Sequence, residues 1–193
     1  MKSQLFDLTS QNIKKSIQTK ELQLDFRQKT SHYQSVLVLL YLSALCLLLP
    51  LVFFLKDYFW GFYKHFDFGL ILASLFFLIA ALIYYFIQKK RLKMTVIESN
   101  LTREEIGSII DELCRKFNWS KWRNRKNLIV IKTPENFWSF FAAEQITILF
   151  GKNEIFVNSI RDLDAQRKAH GEIGKNSENV KILIDSFQIA KLI

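Results

Sequence analysis

The sequence predicts a membrane α-helical hairpin followed by a small cytoplasmic α+β domain, in which an antiparallel sheet is flanked by two helices. Val36–Leu55 and Phe68–Ile87 are uncharged runs of twenty residues each. At the rise of an α-helix, each run is about 30 Å long, which is enough to cross the hydrocarbon core of a bilayer. The connection Lys56–Asp67 is short, so the second helix returns to the side from which the first one started. The ordinary composition of Gln88–Ile193 then fits one small domain.

Charge sets the expected orientation. The formal net charge is +9, made up of +3 in residues 1–35, zero in residues 36–87 and +6 in residues 88–193. Because positive charge near the ends of membrane helices favours the cytoplasmic side, we expect both termini in the cytoplasm and an external loop at residues 56–67. A cleaved signal peptide is not expected, since the first apolar run begins after thirty-five polar residues. The predicted location is a membrane that the chain crosses twice, with both termini on its cytoplasmic side.

These patterns divide the chain into four segments. They are a cytoplasmic N-terminal arm (1–35), the transmembrane hairpin (36–87, with spans 36–55 and 68–87), a basic exit and linker (88–100) and the cytoplasmic α+β domain (101–193). The arm has two helical-face residues, Ile13 and Ile17, which suit a short helix lying on the membrane surface. Leu22, Leu24 and Phe26 then alternate with polar residues, which suits a strand that adds to the sheet of the later domain. A solvated arm is the alternative.

Within the hairpin, Pro50 is expected to kink the first helix. Small residues at Gly69, Ala73 and Ala80, or alternatively at Ser74 and Ala81, could let helices approach closely, within the hairpin or in an oligomer. No ionisable residue lies inside either run, whereas ion pathways and proton relays usually need one. The hairpin is therefore predicted to be an anchor and not a transporter.

The domain is expected to begin after Thr95–Asn100, a linker or short strand. Thr102 and Glu105 have the spacing of a capping box, and apolar residues at helical spacing continue to Phe117. Ser177 is expected to cap a last helix. The predicted strands between the helices are Asn127–Lys132, Phe137–Phe141, Gln145–Phe150, Glu154–Ile160 and a short strand near His170–Ile173, with a hairpin turn at Gly151–Asn153.

A basic and aromatic segment at residues 115–126 is the first candidate site. Its cations and tryptophans could face anionic lipid headgroups, at roughly 1 kcal/mol per engaged cation. Nucleic acid is a second possible target, and a solvated corner whose tryptophans join the core is the third interpretation. The lipid-surface candidates are Lys89, Lys90, Arg91, Lys93, Lys121, Trp122, Arg123, Arg125 and Lys126.

Catalytic chemistry has little support in the sequence. Asp162, Asp164 and His170 could in principle bind a metal or do acid–base chemistry, but acidic residues after a strand most often cap turns. Cys46 and Cys114 cannot pair in the predicted topology, and neither has a partner at ligand spacing. We therefore expect no catalytic residue, no metal and no cofactor.

Two resemblances appear near the end of the chain. The run Glu144–Asp162, with its Val-Asn-Ser-Ile-x-Asp element, and the Gly-x-Asn-x-x-Asn element of Gly174–Asn179 look like the end of a small domain of uncharacterised bacterial membrane proteins. A two-helix anchor with a cytoplasmic β-rich domain that ends in a helix is also similar to bacterial pleckstrin-homology-like membrane proteins. Both resemblances are to bacterial membrane proteins, which makes the bacterial inner membrane the expected location, and neither implies an activity or transfers a functional residue.

The expected function is that of a non-enzymatic inner-membrane protein. It would serve as an accessory or scaffold subunit that binds a protein partner, or a second copy of itself, through the cytoplasmic domain. An anionic-lipid surface sensor that uses residues 115–126 is the alternative. A hydrolytic enzyme and a toxin-immunity protein are remote alternatives. Nucleic acid is not an expected partner, and no small-molecule substrate is indicated.

Overall fold

The computed structural model of the chain describes residues 8–60, 68–134, 143–163 and 176–191. The predicted strands Phe137–Phe141 and His170–Ile173 lie outside these ranges. The described residues form six helices and a five-stranded antiparallel sheet. The helices are α1 (Ser10–Thr19), α2 (Phe26–His32), α3 (Gln34–Trp60), α4 (Phe68–Arg91), α5 (Arg103–Phe117) and α6 (Asn176–Lys191). The strands are β1 (Thr95–Glu98), β2 (Ser120–Arg125), β3 (Leu128–Lys132), β4 (Glu144–Phe150) and β5 (Glu154–Arg161).

The chain divides into two compact units. One unit is residues 30–90, and the other combines residues 1–29 with residues 91–193. We call them the helix-pair unit and the α+β unit. The N-terminal arm therefore belongs to the same unit as the sheet, and the chain leaves this unit for α3 and returns to it after α4.

Helices α3 and α4 are each long and apolar enough to cross a membrane, by length and composition. The apolar windows are Gln34–Val52 and Gly69–Arg91, with only 17% and 11% of their windows buried. These helices are thus not core helices covered by the rest of the chain. Helix α3 continues through Pro50 and ends at Trp60, five residues beyond the predicted boundary at Leu55.

The sheet has the strand order β1-β5-β4-β3-β2, and every pairing is antiparallel. The predicted turn at Gly151–Asn153 connects β4 and β5, and the Gly151 amide donates to the carbonyl of Glu154 over 2.8 Å. A Cβ at Gly151 would lie 3.0 Å from the ring of Phe156 and 3.2 Å from that carbonyl oxygen. A side chain at this position would therefore crowd both neighbours.

Helices α5 and α6 contribute to the core on one face of the sheet. The predicted capping box begins α5, since the Thr102 amide donates to Glu105 Oε2 over 2.6 Å and the Glu105 amide donates back to Thr102 Oγ1 over 3.3 Å. Helix α6 begins at Asn176, so Ser177 lies within its first turn and the predicted cap at Ser177 is wrong. The buried core on this face comprises Ile106, Ile110, Leu113, Trp119, Ile129, Ile131, Ile146, Ile148, Ile155, Val157, Leu183 and Phe187.

The opposite face of the sheet is buried as well. Asn158, on this face, donates through Nδ2 to the carbonyl oxygens of Arg91 and Lys93 over 2.7 and 2.8 Å. The segment that follows α4 also contacts the N-terminal arm: Leu22 N donates to Leu92 O over 2.8 Å. The buried side chains here are Leu128, Val130, Gln145, Thr147, Leu149, Phe156, Asn158 and Ile160, and those of the arm include Leu8, Leu22 and Leu24.

The arm corrects three expectations. Its pairing is a single bridge between Glu21 and Lys93 and not a full strand. Phe26 begins α2 and is 84% exposed, which contradicts its place in the predicted strand. The face of α1 that holds Ile13 is buried within the protein, so α1 neither lies on a membrane by that face nor belongs to a solvated arm.

Candidate functional site

Residues 115–117 of the basic segment end α5, and residues 120–125 fold as strand β2, which the sequence pattern did not predict. Its residues, Ser-Lys-Trp-Arg-Asn-Arg, lack the apolar alternation by which strands are recognised. Among the described residues, β2 pairs only with β3, so it forms one edge of the sheet. The pairing of β2 therefore depends on its neighbour, and the strand adds few apolar groups to the core.

The strand sends its cations to both faces of the sheet. Lys121 lies opposite Ile131 on the face of α5 and α6, whereas Arg123 lies opposite Val130 on the other face. The change follows from a β-bulge between Lys121 and Arg123, which places Trp122 out of register. Arg125 follows Arg123 on the second face, opposite Leu128. The single basic surface expected from the sequence is thus divided by the strand itself.

A groove runs between α5 and β2, with a volume of about 480 Å³. Lys121 Nζ lies 2.5 Å from Asp111 Oδ1 across it and joins the strand to the helix. Four cations and two carboxylates line the groove, which gives it a net charge of +2. Its lining residues are Arg103, Glu104, Gly107, Ser108, Asp111, Lys121, Asn124, Arg125 and Lys126.

Arg103 is held in this groove by several contacts. Its guanidinium lies 4.3 Å from the centroid of the Phe150 ring. Nη2 donates to Asn124 Oδ1, and it also lies 3.5 Å from the carbonyl oxygen of Arg125. Burial lowers the pKa of Arg103, although an arginine stays charged at neutral pH. Arg103 therefore presents a fixed positive charge, and this residue was not among the candidates chosen from the sequence.

Gly107 opens the floor of the groove. Gly107 lies within α5, and a Cβ added to it would meet only Arg103 Nη1, at 3.7 Å. That separation is an ordinary van der Waals contact, so neither packing nor backbone conformation requires a glycine here. The consequence of the glycine is open space beside α5.

The tryptophans of the segment have separate environments. Trp119 is buried and stacks on Phe117 with ring centroids 5.2 Å apart, as in the interpretation that placed these side chains in the core. Trp122 is 41% exposed, and Lys132 Nζ lies 4.4 Å from its ring centroid. A partly exposed aromatic ring with a cation over it thus remains at the surface.

The other lipid-surface candidates lie where the chain leaves α4. Lys89 and Lys90 are exposed at the end of the helix, in the helix-pair unit. Arg91 is half-buried and Lys93 exposed, and both belong to the α+β unit. Their backbone carbonyls are the acceptors for Asn158, so this stretch also has a structural role.

Polar residues also gather where β3 and β5 end and β4 begins. Lys132 Nζ pairs with Asp162 Oδ1 over 2.9 Å, and both side chains are largely buried. On the helix face, Ser159 Oγ donates to Glu144 Oε2 over 3.1 Å, and Asn179 Nδ2 donates to the same oxygen. These contacts pair the buried charges with one another and with neutral donors. Of the proposed catalytic set, Asp162 is thus in an ion pair, while Asp164 and His170 lie outside the described residues.

The helix pair is joined by two serines. Ser43 Oγ donates to Ser74 O over 3.0 Å, and Ser74 Oγ donates to Ser43 O over 2.9 Å. Both serines are buried, as is Ala81 further along α4. The contact therefore uses the stripe of Ser74 and Ala81. The other predicted stripe, that of Gly69, Ala73 and Ala80, is less enclosed, because Ala73 and Ala80 are half-buried and Gly69 is exposed.

No group of three or more histidine, cysteine or acidic side chains within the described ranges is placed to hold a metal ion. Cys46 and Cys114 are both free and half-buried. Burial raises the pKa of the Cys114 thiol, an effect that the nearby Lys121 partly opposes. In comparisons with protein-family models, with curated proteins and with solved structures, the chain has no match.

Proposed function

We propose that this protein is a non-enzymatic accessory or scaffold subunit of a complex in the bacterial inner membrane. The helix pair anchors it, and the α+β unit binds a partner protein on the cytoplasmic side. One observation carries the proposal: within the part of the chain that the structure describes, strand β2 is a sheet edge beside a groove lined by four cations and two carboxylates, whereas the central strands β3, β4 and β5 are buried on both faces. An edge strand offers backbone donors and acceptors to a partner.

The helix pair supports the same proposal. Large apolar side chains are exposed along the apolar windows of both helices, and a polar contact at Ser43 and Ser74 fixes one helix against the other. A contact of this type stabilises helix association in a bilayer without supplying an ionisable group. The spans thus suit an anchor whose partners bind elsewhere.

Purification of the tagged full chain from its native membranes in mild detergent tests the proposal. We expect a complex of defined stoichiometry by mass measurement, either with another protein or with a second copy of the chain. A chain that carries the tag but lacks the α+β unit is the matched control and should not retain the partner. A strictly monomeric full-length protein without a partner would contradict the proposal.

A lipid-surface sensor is the second candidate, favoured by the exposed ring of Trp122 beside Arg123. Insertion of this ring into the headgroup region would shift its fluorescence to shorter wavelength. The test compares the full chain with Trp122→Phe in nanodiscs of neutral and of anionic lipid. A difference spectrum that shifts only with anionic lipid supports the sensor, and identical spectra in both lipids exclude this electrostatic role.

A further inference from the structure

Phe26, the first residue of α2, is the most exposed of the large apolar side chains that the structure describes, at 84%. Most of the others that are exposed belong to α3 or α4, where a bilayer would cover them. Outside the helix pair, the described ranges expose only Trp122 and Ile189 besides Phe26, at 41% and 60%. A single exposed apolar residue is common at protein surfaces, so the surroundings of Phe26 decide whether it has a role.

Helix α2 has a buried side and an exposed side. Gln28 and His32, which are four residues apart and therefore share one side of the helix, are 0% and 6% exposed. At 3.6 residues per turn, the ring of Phe26 belongs to the opposite side, with a cation on either flank. We call this exposed side the α2 face, and its residues are Phe26, Arg27, Lys29 and Thr30.

The last residue of α2 lies at the end of both apolar helices. His32 Nε2 is 3.1 Å from the carbonyl oxygen of Gln88, the residue that directly follows the apolar run of α4. Only Tyr33 separates α2 from α3, and its ring stacks on that of Tyr85 with centroids 5.5 Å apart. Tyrosines are enriched where membrane helices leave the bilayer. This end of α2 is thus at the level of the membrane surface, if α3 and α4 cross the bilayer.

The length of α2 keeps Phe26 close to that level. Six residues of α-helix separate Phe26 from His32, which is about 9 Å along the helix axis. The headgroup layer on each side of a bilayer is about 5–8 Å thick. The ring of Phe26 therefore lies within reach of the lipid headgroups.

Positive charge accompanies the ring. Arg27 and Lys29 flank it on α2, and Lys89 and Lys90 are exposed at the end of α4. The only acidic residue among residues 22–33 is Asp25, and residues 84–94 contain none. An aromatic ring with cations around it, next to a membrane helix, has the composition of a segment that lies in the interface of an anionic bilayer.

We propose that the α2 face docks on the bilayer surface on the side of the two termini. The ring of Phe26 enters the headgroup region, while Arg27 and Lys29 contact the phosphates of anionic lipids. The bilayer is the occupant because α2 is continuous in the chain with a helix that suits a bilayer, and because the charges are complementary. This inference rests on the anchoring role of the helix pair in the proposed function, and it is independent of the accessory role.

The test uses the full chain in nanodiscs of neutral and of anionic lipid. A nitroxide spin label at Thr30→Cys, with Cys46→Ser and Cys114→Ser, reports on the α2 face while Phe26 is intact. Relaxation of the label by oxygen, which concentrates in the bilayer, is compared with relaxation by a water-soluble nickel complex. We expect a high ratio of oxygen to nickel relaxation in anionic lipid. Phe26→Ser should lower this ratio several-fold, whereas Phe26→Trp should preserve it.

The contribution of the cations is measured with the same label. Arg27→Gln/Lys29→Gln should weaken docking in anionic lipid by up to about thirtyfold, since each cation near an anionic surface contributes roughly 1 kcal/mol. The variant should behave like the unmodified chain in neutral lipid. Its matched control, Lys152→Gln/Lys181→Gln, removes the same charge from exposed positions elsewhere and should leave the ratio unchanged.

A second label, at the exposed Leu78→Cys within α4, separates the possible failures. If this label is in the bilayer but Phe26→Ser does not change the ratio at residue 30, the docking of the α2 face is wrong while the anchor stands. If the nickel complex reaches residue 30 freely in nanodiscs but not in the native complex, a partner protein covers the face and the lipid contact is wrong. If the nickel complex reaches residue 78, the helix pair does not cross the bilayer, and the anchoring role fails together with this inference.

Discussion

The carboxylate of Glu144 is buried at the end of the sheet, where Ser159 and Asn179 both donate to it. A buried acceptor that loses a donor costs about 1–3 kcal/mol, because the desolvation of the charge is no longer offset. We therefore expect Asn179→Ala to lower the free energy of unfolding by about that amount. Denaturant unfolding of the full chain measures it, with Asn153→Ala in the exposed β4–β5 turn as the control. Equal stability of the two variants would contradict this role of Asn179.

Glu105 provides a pH-dependent contact at the start of α5. Hydrogen bonds from the backbone amide and the hydroxyl of Thr102 hold the pKa of Glu105 below its ordinary value. A lowered carboxyl pKa contributes stability above the unfolded pKa, and this contribution is lost as the pH falls through the folded pKa. Amide hydrogen exchange in the first turn of α5 should thus become faster, beyond the intrinsic pH effect, on acidification from about pH 7 to about pH 3.

The variant Glu105→Gln serves as the comparison for that measurement. Glutamine can still complete a capping box but does not titrate. Protection of the first turn should therefore change less with pH in this variant than in the unmodified chain. The same pH dependence in both proteins would show that Glu105 is not the group responsible.

Among the elements, those with a strong local signal were predictable from the sequence. Helix α5 has a capping box and an apolar face, and β3 to β5 are rich in β-branched residues. Strand β2 has neither, because its register is imposed by pairing with β3 and not by its own side chains. For this reason the basic residues were predictable as a group, whereas their division between two faces and the groove beside Arg103 were not. The orientation of a polar edge strand is a tertiary property.

Two glycines permit opposite predictions within one domain. Gly107 lies inside α5, where alanine is favoured over glycine by up to about 1 kcal/mol, and its Cβ would fit without strain. Gly107→Ala should therefore raise the temperature of thermal unfolding. Gly151→Ala should lower it, because its Cβ would crowd the Phe156 ring and the Glu154 carbonyl. A decrease for both variants would contradict the space assigned to Gly107.

The contact between Ser43 and Ser74 can be measured by a double-mutant cycle. Interhelical hydrogen bonds of this kind contribute about 0.6 kcal/mol on average in membrane proteins. Because the two hydroxyl oxygens also lie 3.2 Å apart, we expect Ser43→Ala and Ser74→Ala each to destabilise the helix pair and the double variant to cost less than their sum. Unfolding of the full chain in SDS gives the three values, with the exposed Leu72→Ala as the control. Strictly additive effects would mean that the two hydroxyls are not coupled and that each serine acts only through its bond to the backbone carbonyl of the other.

For the whole molecule, the two apolar helices were predictable because length and composition alone identify them. The connection between the N-terminal arm and the sheet was only partly predictable. The alternation of Leu22 and Leu24 indicated buried residues, and both are buried. It could not indicate that the chain turns into α2 at Phe26, which depends on reciprocal bonds between Asp25 and Gln28. A fragment that begins at residue 88 would thus lack part of its own core.

The packing of the N-terminal arm into the α+β unit also predicts, independently of the charge distribution, that both flanks of the helix pair lie on one side of the membrane. Residues 1–29 and 91–193 form one unit, so the segments before α3 and after α4 must lie on the same side of any membrane that the helices cross. We expect Lys14→Cys and Lys152→Cys, each in a chain with Cys46→Ser and Cys114→Ser, to react identically with a membrane-impermeant maleimide. Both lysine positions are exposed. With cytoplasmic termini, both should react in inverted vesicles and neither in right-side-out vesicles. Reaction from opposite sides would contradict the pairing of Leu22 with Leu92 and, with it, the unit that carries the groove.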